Sequence, residues 1–170
     1  MLIIKDKLQM LVTGYPTVSD KYNVAGAILA GDNNVAFGDP LMWNNGTQNA
    51  DGYYVKKAGA TVTAANFAGF AVATNVKLAE GFPGTTVYYK PGEALNLLLN
   101  GYIAVELAAT SSLKATILPG AKLYITPAGA LTLTAASNID TGYTLTGVFE
   151  VIEENAGTTS YKYRVEIHKD

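Results

Sequence analysis

Short β-prone runs, broken by glycine and proline turns, repeat along most of the chain, and this pattern limits the fold more than any other feature. Three Pro-Gly dipeptides, at residues 83–84, 91–92 and 119–120, place a residue with a fixed φ before one that tolerates a positive φ. Such dipeptides are typical of tight turns between strands and disfavour a helical bundle. The sequence therefore predicts an all-β fold, either a small β-barrel or a β-sandwich.

Twelve segments have the composition of strands, because they are rich in Val, Ile, Thr, Tyr and Phe and end at turn-forming residues. The last segment alternates most clearly, with Tyr163, Val165 and Ile167 separated by charged residues, so one of its faces should be buried. The best helical competitor, residues 93–99, is short and is closely followed by a glycine. The predicted strands are 25–30, 35–43, 52–57, 68–77, 85–90, 95–100, 102–107, 114–118, 122–126, 130–134, 146–154 and 160–168.

The chain of 170 residues is long enough for one well-packed domain. Residues 13–23 contain several turn formers but no apolar periodicity, which disfavours both a helix and a paired strand. We therefore expect residues 1–23 to form an N-terminal segment that includes an extended arm, and residues 24–170 to form a single β-rich domain.

The composition excludes several classes of partner. Charged residues make up only 15% of the chain and the net charge is −2, so there is little to neutralise nucleic-acid phosphates and no nucleic-acid partner is expected. The N-terminal sequence MLIIKDKLQMLV is interrupted by charges and predicts neither a signal peptide nor a membrane span. The absence of cysteine fits a protein that is made and folds in a reducing cytoplasm.

The residues that usually carry out chemistry are scarce. His168 is the only histidine and there is no cysteine, so histidine triads, thiol nucleophiles and ordinary zinc sites lack their usual members. In an extended strand Glu150 and Glu154 would share one face and Glu153 the other, so their spacing alone does not predict a converging acid pair. No phosphate-binding or dinucleotide-binding motif is present. We expect no catalytic residue, no cofactor and no metal.

The aromatic residues leave two alternatives open. Exposed rings can stack on sugars or anchor a protein interface, and Tyr53-Tyr54, Tyr88-Tyr89 and Trp43 are the candidates. Neighbouring residues on a strand point to opposite faces, so each tyrosine pair should send one ring into the core. A carbohydrate-binding module or receptor-binding knob that uses Trp43 and exposed tyrosines is the first alternative. A glycosidase that uses two carboxylates is the second.

Four stretches, taken in order, resemble the small capsid decoration proteins, or cement proteins, of tailed bacteriophages. The resemblance covers residues 24–134, while the C-terminal third departs more from the pattern. The stretches are VAFGDPLMW from Val35, FAGFAVATNVKL from Phe67, YYKPGEALNLLLNGYIAVEL from Tyr88 and ILPGAKLYITPAGALTLT from Ile117.

The resemblance implies a non-enzymatic virion protein that binds the outer surface of an assembled capsid and ties neighbouring major capsid protein subunits together. It also implies self-association as a dimer or trimer and an arm that reaches a neighbouring subunit. The candidate capsid contacts are then Tyr15, Pro16 and Tyr22 on the arm, with Trp43 on the domain. By position, the residues expected to be architectural are Gly38, Asp39, Gly69, Pro91, Gly92, Gly101, Pro119 and Gly120.

Overall fold

The computed structural model describes residues 13–14, 23–45, 53–74, 87–110, 116–154 and 160–170. Over these residues the chain is all β, with no helix, as the turn pattern predicts. The described residues therefore contain no helix that is long and apolar enough to cross a membrane. The strands are β1 (Asn23–Leu29), β2 (Val35–Ala36), β3 (Pro40–Trp43), β4 (Tyr54–Lys57), β5 (Phe67–Val72), β6 (Tyr88–Tyr89), β7 (Ala94–Thr110), β8 (Lys122–Ile125), β9 (Leu131–Thr132), β10 (Ile139–Glu154) and β11 (Ser160–Lys169).

Several strand boundaries differ from the prediction. The runs 95–100 and 102–107 are one strand, because Gly101 continues β7 with a φ of 119° instead of ending it. The predicted strand at 114–118 is wrong over its described residues, since 116–118 lead into a turn. Strand β10 begins at Ile139, seven residues before the predicted start at 146. Glycine is therefore a poor guide to where these strands stop.

Five strands close into a barrel. Strand β1 pairs in parallel with β4, and antiparallel pairings then lead from β4 through β3 and β5 to β7. Strand β7 pairs with β1 and completes the ring. Closure leaves none of these strands with a free edge along the paired residues, so their backbone groups are satisfied within the barrel. The short strands β2 and β6 form a separate two-stranded ribbon.

The second half of β7 leaves the barrel and joins another group of strands. Residues 101–110 pair antiparallel with β11, which is followed in the sheet by β10, β8 and β9. In β11, Tyr163, Val165 and Ile167 are buried, as the alternation in the sequence predicts. Strand β7 is therefore the only strand shared by the barrel and the outer sheet.

A bulge in β7 turns its side chains from one core to the other. Asn23 lies opposite Asn100 and Val24 lies opposite Leu98, so Leu99 is an extra residue in the pairing. An extra residue reverses the alternation of faces. The barrel core includes Leu95 and Leu97 of β7, with Leu29, Leu41, Trp43, Val55 and Tyr89. The second core includes Ile103, Val105 and Leu107 of β7, with Phe70, Leu123, Ile125, Leu145, Tyr163, Val165 and Ile167.

Two residues hold the barrel and the outer sheet together at this bulge. Gly69 has a φ of 145°, and a Cβ atom there would lie 2.0 Å from the carbonyl oxygen of Leu98, so only glycine permits this approach. The buried hydroxyl of Tyr143 donates to the carbonyl oxygen of Leu99 at 2.9 Å and to that of Leu98 at 3.3 Å. Its ring packs edge-on against Phe70, with centroids 4.9 Å apart. Burial raises the pKa of Tyr143 well above its usual value.

Removing the hydroxyl of Tyr143 should destabilise the fold. In Tyr143→Phe the two carbonyl oxygens at the bulge lose a donor while they remain buried, which should lower the free energy of unfolding by about 1–3 kcal/mol. Tyr163→Phe is the matched control, because Tyr163 is equally buried and its hydroxyl has no hydrogen-bond partner. Urea unfolding should show no loss, or a gain, in the control. An equal loss in both variants would contradict this account of the junction.

Candidate interaction surface

The N-terminal segment is fixed to the domain at Thr13 and Gly14. The amide of Gly14 donates to the carbonyl oxygen of Ala104 at 2.7 Å, and the amide of Ala73 donates to the carbonyl oxygen of Gly14 at 2.6 Å. Gly14 has a φ of 75°, and a Cβ atom there would lie 2.4 Å from Cβ of Phe37. The backbone can make both hydrogen bonds at this distance only because residue 14 has no side chain.

A groove of about 820 Å³ lies beside this anchor point. It is lined by Lys57 of β4, by Asp39 before β3 and by the exposed Tyr88 of β6, and also by residues of β7 and β11, including Glu106 and Lys162. Lys57 and Asp39 form a salt bridge of 2.7 Å. The groove is therefore lined by both parts of the fold, and its charged groups occur in opposite pairs.

Arg164, the only arginine in the chain, connects the charged groups of this region. Its Nε donates to Oγ1 of Thr13 at 2.9 Å, and Thr13 in turn donates to Oε1 of Glu106 at 3.3 Å. The guanidinium lies 3.5 Å from the carboxylate of Glu150 and 3.9 Å from that of Glu106. The carboxylate of Glu106 also pairs with Lys162. Each partly exposed pair contributes about 0–1 kcal/mol, so the network positions Thr13 more than it stabilises the fold.

An apolar patch lies on the outer wall of the barrel. Ile28 of β1 and Tyr54 of β4 are register partners, and their exposed fractions are 39% and 38%. Tyr53 precedes Tyr54 and is similarly exposed. These three exposed residues are called the wall patch, and they could contact another protein. Tyr88 and Tyr89 divide as predicted, with Tyr88 exposed and Tyr89 buried.

Trp43 belongs to the barrel core and not to the surface. Strand β3 directs Leu41 and Trp43 inward, and only 8% of the tryptophan is exposed. A sugar platform built on this ring is therefore wrong, because its face is covered by the core. Tyr53 packs on the tryptophan, with ring centroids 5.9 Å apart, and is exposed at the surface. The assignment of Trp43 to a capsid contact stays a prediction.

The other predicted contacts, Tyr15, Pro16 and Tyr22, lie outside the described residues. Of the residues predicted to be architectural, five glycines have a positive φ: Gly38, Gly69, Gly92, Gly101 and Gly120. Asp39 accepts a hydrogen bond from the amide of Ala36 at 2.9 Å and so closes the turn before β3. Pro91 and Pro119 precede the glycines of two of these turns.

The acidic residues of the described chain form structural contacts. No group of three or more His, Asp or Glu side chains there could hold a metal ion. Asp140 accepts the amide of Gly142 at 2.8 Å and pairs with Lys122 at 3.0 Å, and these two contacts lower its pKa. His168 stacks on Tyr102 with ring centroids 5.1 Å apart and contacts Thr144 through Nδ1. These contacts are structural and provide no nucleophile paired with a base.

Sequence reasoning did not identify two features of this surface. The anchor at Thr13 and Gly14 depends on hydrogen bonds with residues that are distant in the chain, and no local pattern reports them. These residues are Ala73, Ala104, Glu106 and Arg164. The wall patch depends on a parallel pairing between β1 and β4. Ile28 lies in an ordinary strand pattern, so the sequence does not mark it as a contact residue. Only the Tyr53-Tyr54 pair indicated a possible contact at this surface.

Comparison with known proteins gives the same architecture. A solved chain from "The capsid of Myoviridae Phage XM1" superposes with a TM-score of 0.54 at 14% identity, covering 95% of this chain and 94% of that one. This likeness supports the fold. No curated protein matches the sequence.

The sequence itself gives the family. The family model described as "Structural cement protein (E217 gp24/Pam3 gp6)" matches residues 6–162, which is most of the chain. The protein is thus a member of the phage structural cement protein family, a family of virion structural proteins.

Proposed function

We propose that this protein binds the outer surface of an assembled phage capsid and stabilises contacts between major capsid protein subunits. The observation that carries the proposal is the family match over residues 6–162. The wall patch provides an exposed apolar surface suited to such a role. The protein acts by binding, and the proposal includes no chemical step.

The wall patch is suited to protein contact for physical reasons. Tyrosine buries a large area and has few torsions to immobilise, so its contacts cost little conformational entropy. A typical stable interface buries about 1,600 Å², which is more than three side chains can provide. A protein held at several capsid subunits gains avidity from separate weak contacts, so a small patch is sufficient.

The predicted arm contacts, Tyr15, Pro16 and Tyr22, are also part of the proposal. In the chain they lie between Gly14 and Asn23, which are both held to the domain by backbone hydrogen bonds.

The remaining parts of the proposal follow the resemblance. The protein is made in the host cytoplasm, acts on the capsid exterior and self-associates as a dimer or trimer. Its partner is the major capsid protein, and neither nucleic acid nor a membrane takes part. With a net charge of −2 the protein has little electrostatic attraction for either.

Purified protein mixed with capsids that lack the decoration protein should co-sediment with them and raise the temperature at which they open. The double variant Ile28→Ser/Tyr54→Ser should weaken this binding at least tenfold, since two anchors of about 1 kcal/mol each are lost. Because both side chains are exposed, the fold should be retained, which circular dichroism and the melting temperature check.

The matched control is Leu118→Ser, which removes a more exposed apolar side chain, 59% exposed, away from the barrel wall. It should bind capsids as the unaltered protein does. Equal binding by the patch variant and the unaltered protein would reject the wall patch as the contact. Failure of the unaltered protein to bind would reject the proposed function itself.

Gly14→Ala should release the N-terminal segment. Alanine at a φ of 75° costs about 1–2 kcal/mol, and its Cβ would overlap Phe37. We expect faster hydrogen exchange at the amide of Ala73 and faster proteolysis before residue 23. Gly26→Ala is the control, because Gly26 has an ordinary φ and open space around it. Unchanged exchange at Ala73 in Gly14→Ala would contradict the anchor.

A further inference from the structure

Among the described strands, β10 has no partner along one edge of its second half. On one side it pairs with β11 as far as Glu154. On the other side β8 pairs with it only between Ile139 and Thr144. Among the described residues, no strand pairs with 146–154 on the side away from β11.

The turn before β8 sets the point at which this edge becomes free. Leu145 exchanges two backbone hydrogen bonds of 2.8 Å with this turn, accepting from Gly120 and donating to Ala121. A Cβ atom on Gly147 would lie 2.5 Å from Cγ of Pro119, so the proline covers the edge up to that residue. Residues 148–154, the free edge, follow immediately.

The two faces of the free edge differ in chemistry. Phe149 packs toward the second core, with its ring centroid 6.1 Å from that of Tyr163, and Val151 lies opposite Tyr163 with 44% of its surface exposed. On the other face Glu150 lies opposite Arg164 and pairs with it, while 43% of its side chain remains exposed. One face is therefore apolar and the other acidic.

A second bulge lies within this edge. Register partners jump from Val151–Tyr163 to Glu153–Lys162, so one residue of β10 is extra at this point. In the backbone register, Glu150 and Glu153 are therefore the partners of Arg164 and Lys162. The expectation that Glu153 faces away from Glu150 assumed an unbroken strand, and this register shift breaks the strand between them.

We propose that the free edge of β10 binds an extended polypeptide segment of a partner protein by adding it as a further strand, and that this segment alternates basic and apolar residues. Its apolar side chains would lie beside Phe149 and Val151 and extend the second core. Its basic side chains would lie beside the acidic positions. Backbone hydrogen bonds give affinity and the alternate side chains give specificity.

Charge argues against a second copy of this chain as the occupant. Residues 147–154 contain three glutamates and no cation. Pairing two such edges would place acids beside acids across the new ladder, and like charges in that position are destabilising. Negative charge is also a means by which edge strands avoid self-association. The inference is independent of the proposed function, since it needs only the edge.

The test uses the full chain and a synthetic peptide of eight alternating lysines and valines, blocked at both ends and labelled for fluorescence anisotropy. We expect saturable binding that weakens with salt, with slower hydrogen exchange at the amides of residues 148–151. The same peptide N-methylated at every residue keeps its charge but loses all its backbone donors, and it should not bind. A glutamate–valine peptide should not bind either.

Two variants locate the site. Val151→Lys places a cation on the edge and should weaken binding of the lysine–valine peptide on the order of fivefold. Ala65→Lys adds the same charge on an exposed barrel turn and should leave binding unchanged. The proposal would be overturned if the N-methylated peptide bound as tightly as the unmodified one, or if both variants had the same effect. It would also be overturned if the lysine–valine peptide did not bind. Self-association that already protects residues 148–151 would also overturn it, because the occupant would then be a second copy.

Discussion

The switch of β7 from one core to the other is the constraint on which the rest of the structure depends. One strand of 17 residues supplies a wall of the barrel and then the first strand of the outer sheet. Its apolar side chains can serve both cores only if the alternation reverses, and the bulge at Leu99 provides that reversal. The bulge leaves carbonyl groups in the protein interior, away from water, and this costs free energy unless a hydrogen-bond donor reaches them. Tyr143 supplies this donor.

This junction joins the barrel and the outer sheet through one shared apolar core. The outer face of the barrel contributes Phe70 and Val72 to the same core as the outer sheet, so neither part presents that apolar surface to water. Gly69 brings β5 against the bulge where any side chain would collide. Apolar burial and backbone pairing together provide the stabilisation that disulfide bonds provide in smaller extracellular domains.

Much of the fold could be predicted from local pattern, and the rest could not for identifiable reasons. Alternation in residues 160–168 correctly gave the buried face of β11. The continuity of β7 through Gly101 was missed, because glycine signals both turns and bulges. The register shift between Val151 and Glu153 was missed because a bulge, set by pairing with β11, cannot be seen in the sequence of one strand. Trp43 was placed at the surface since aromatic residues serve both cores and interfaces, and only the barrel's closure decides which.

The scarcity of charge in this chain gives Arg164 an unusual position. A chain with 15% charged residues has few side chains with which to order its surface. The guanidinium fork reaches Thr13 of the anchored segment, Glu106 of β7 and Glu150 of β10. A lysine has one compact charge and lacks the planar fork needed to hold several partners in fixed directions. The N-terminal segment, the groove and the free edge of β10 therefore meet at one side chain, so a partner that draws Glu150 away from Arg164 also alters the support of Thr13.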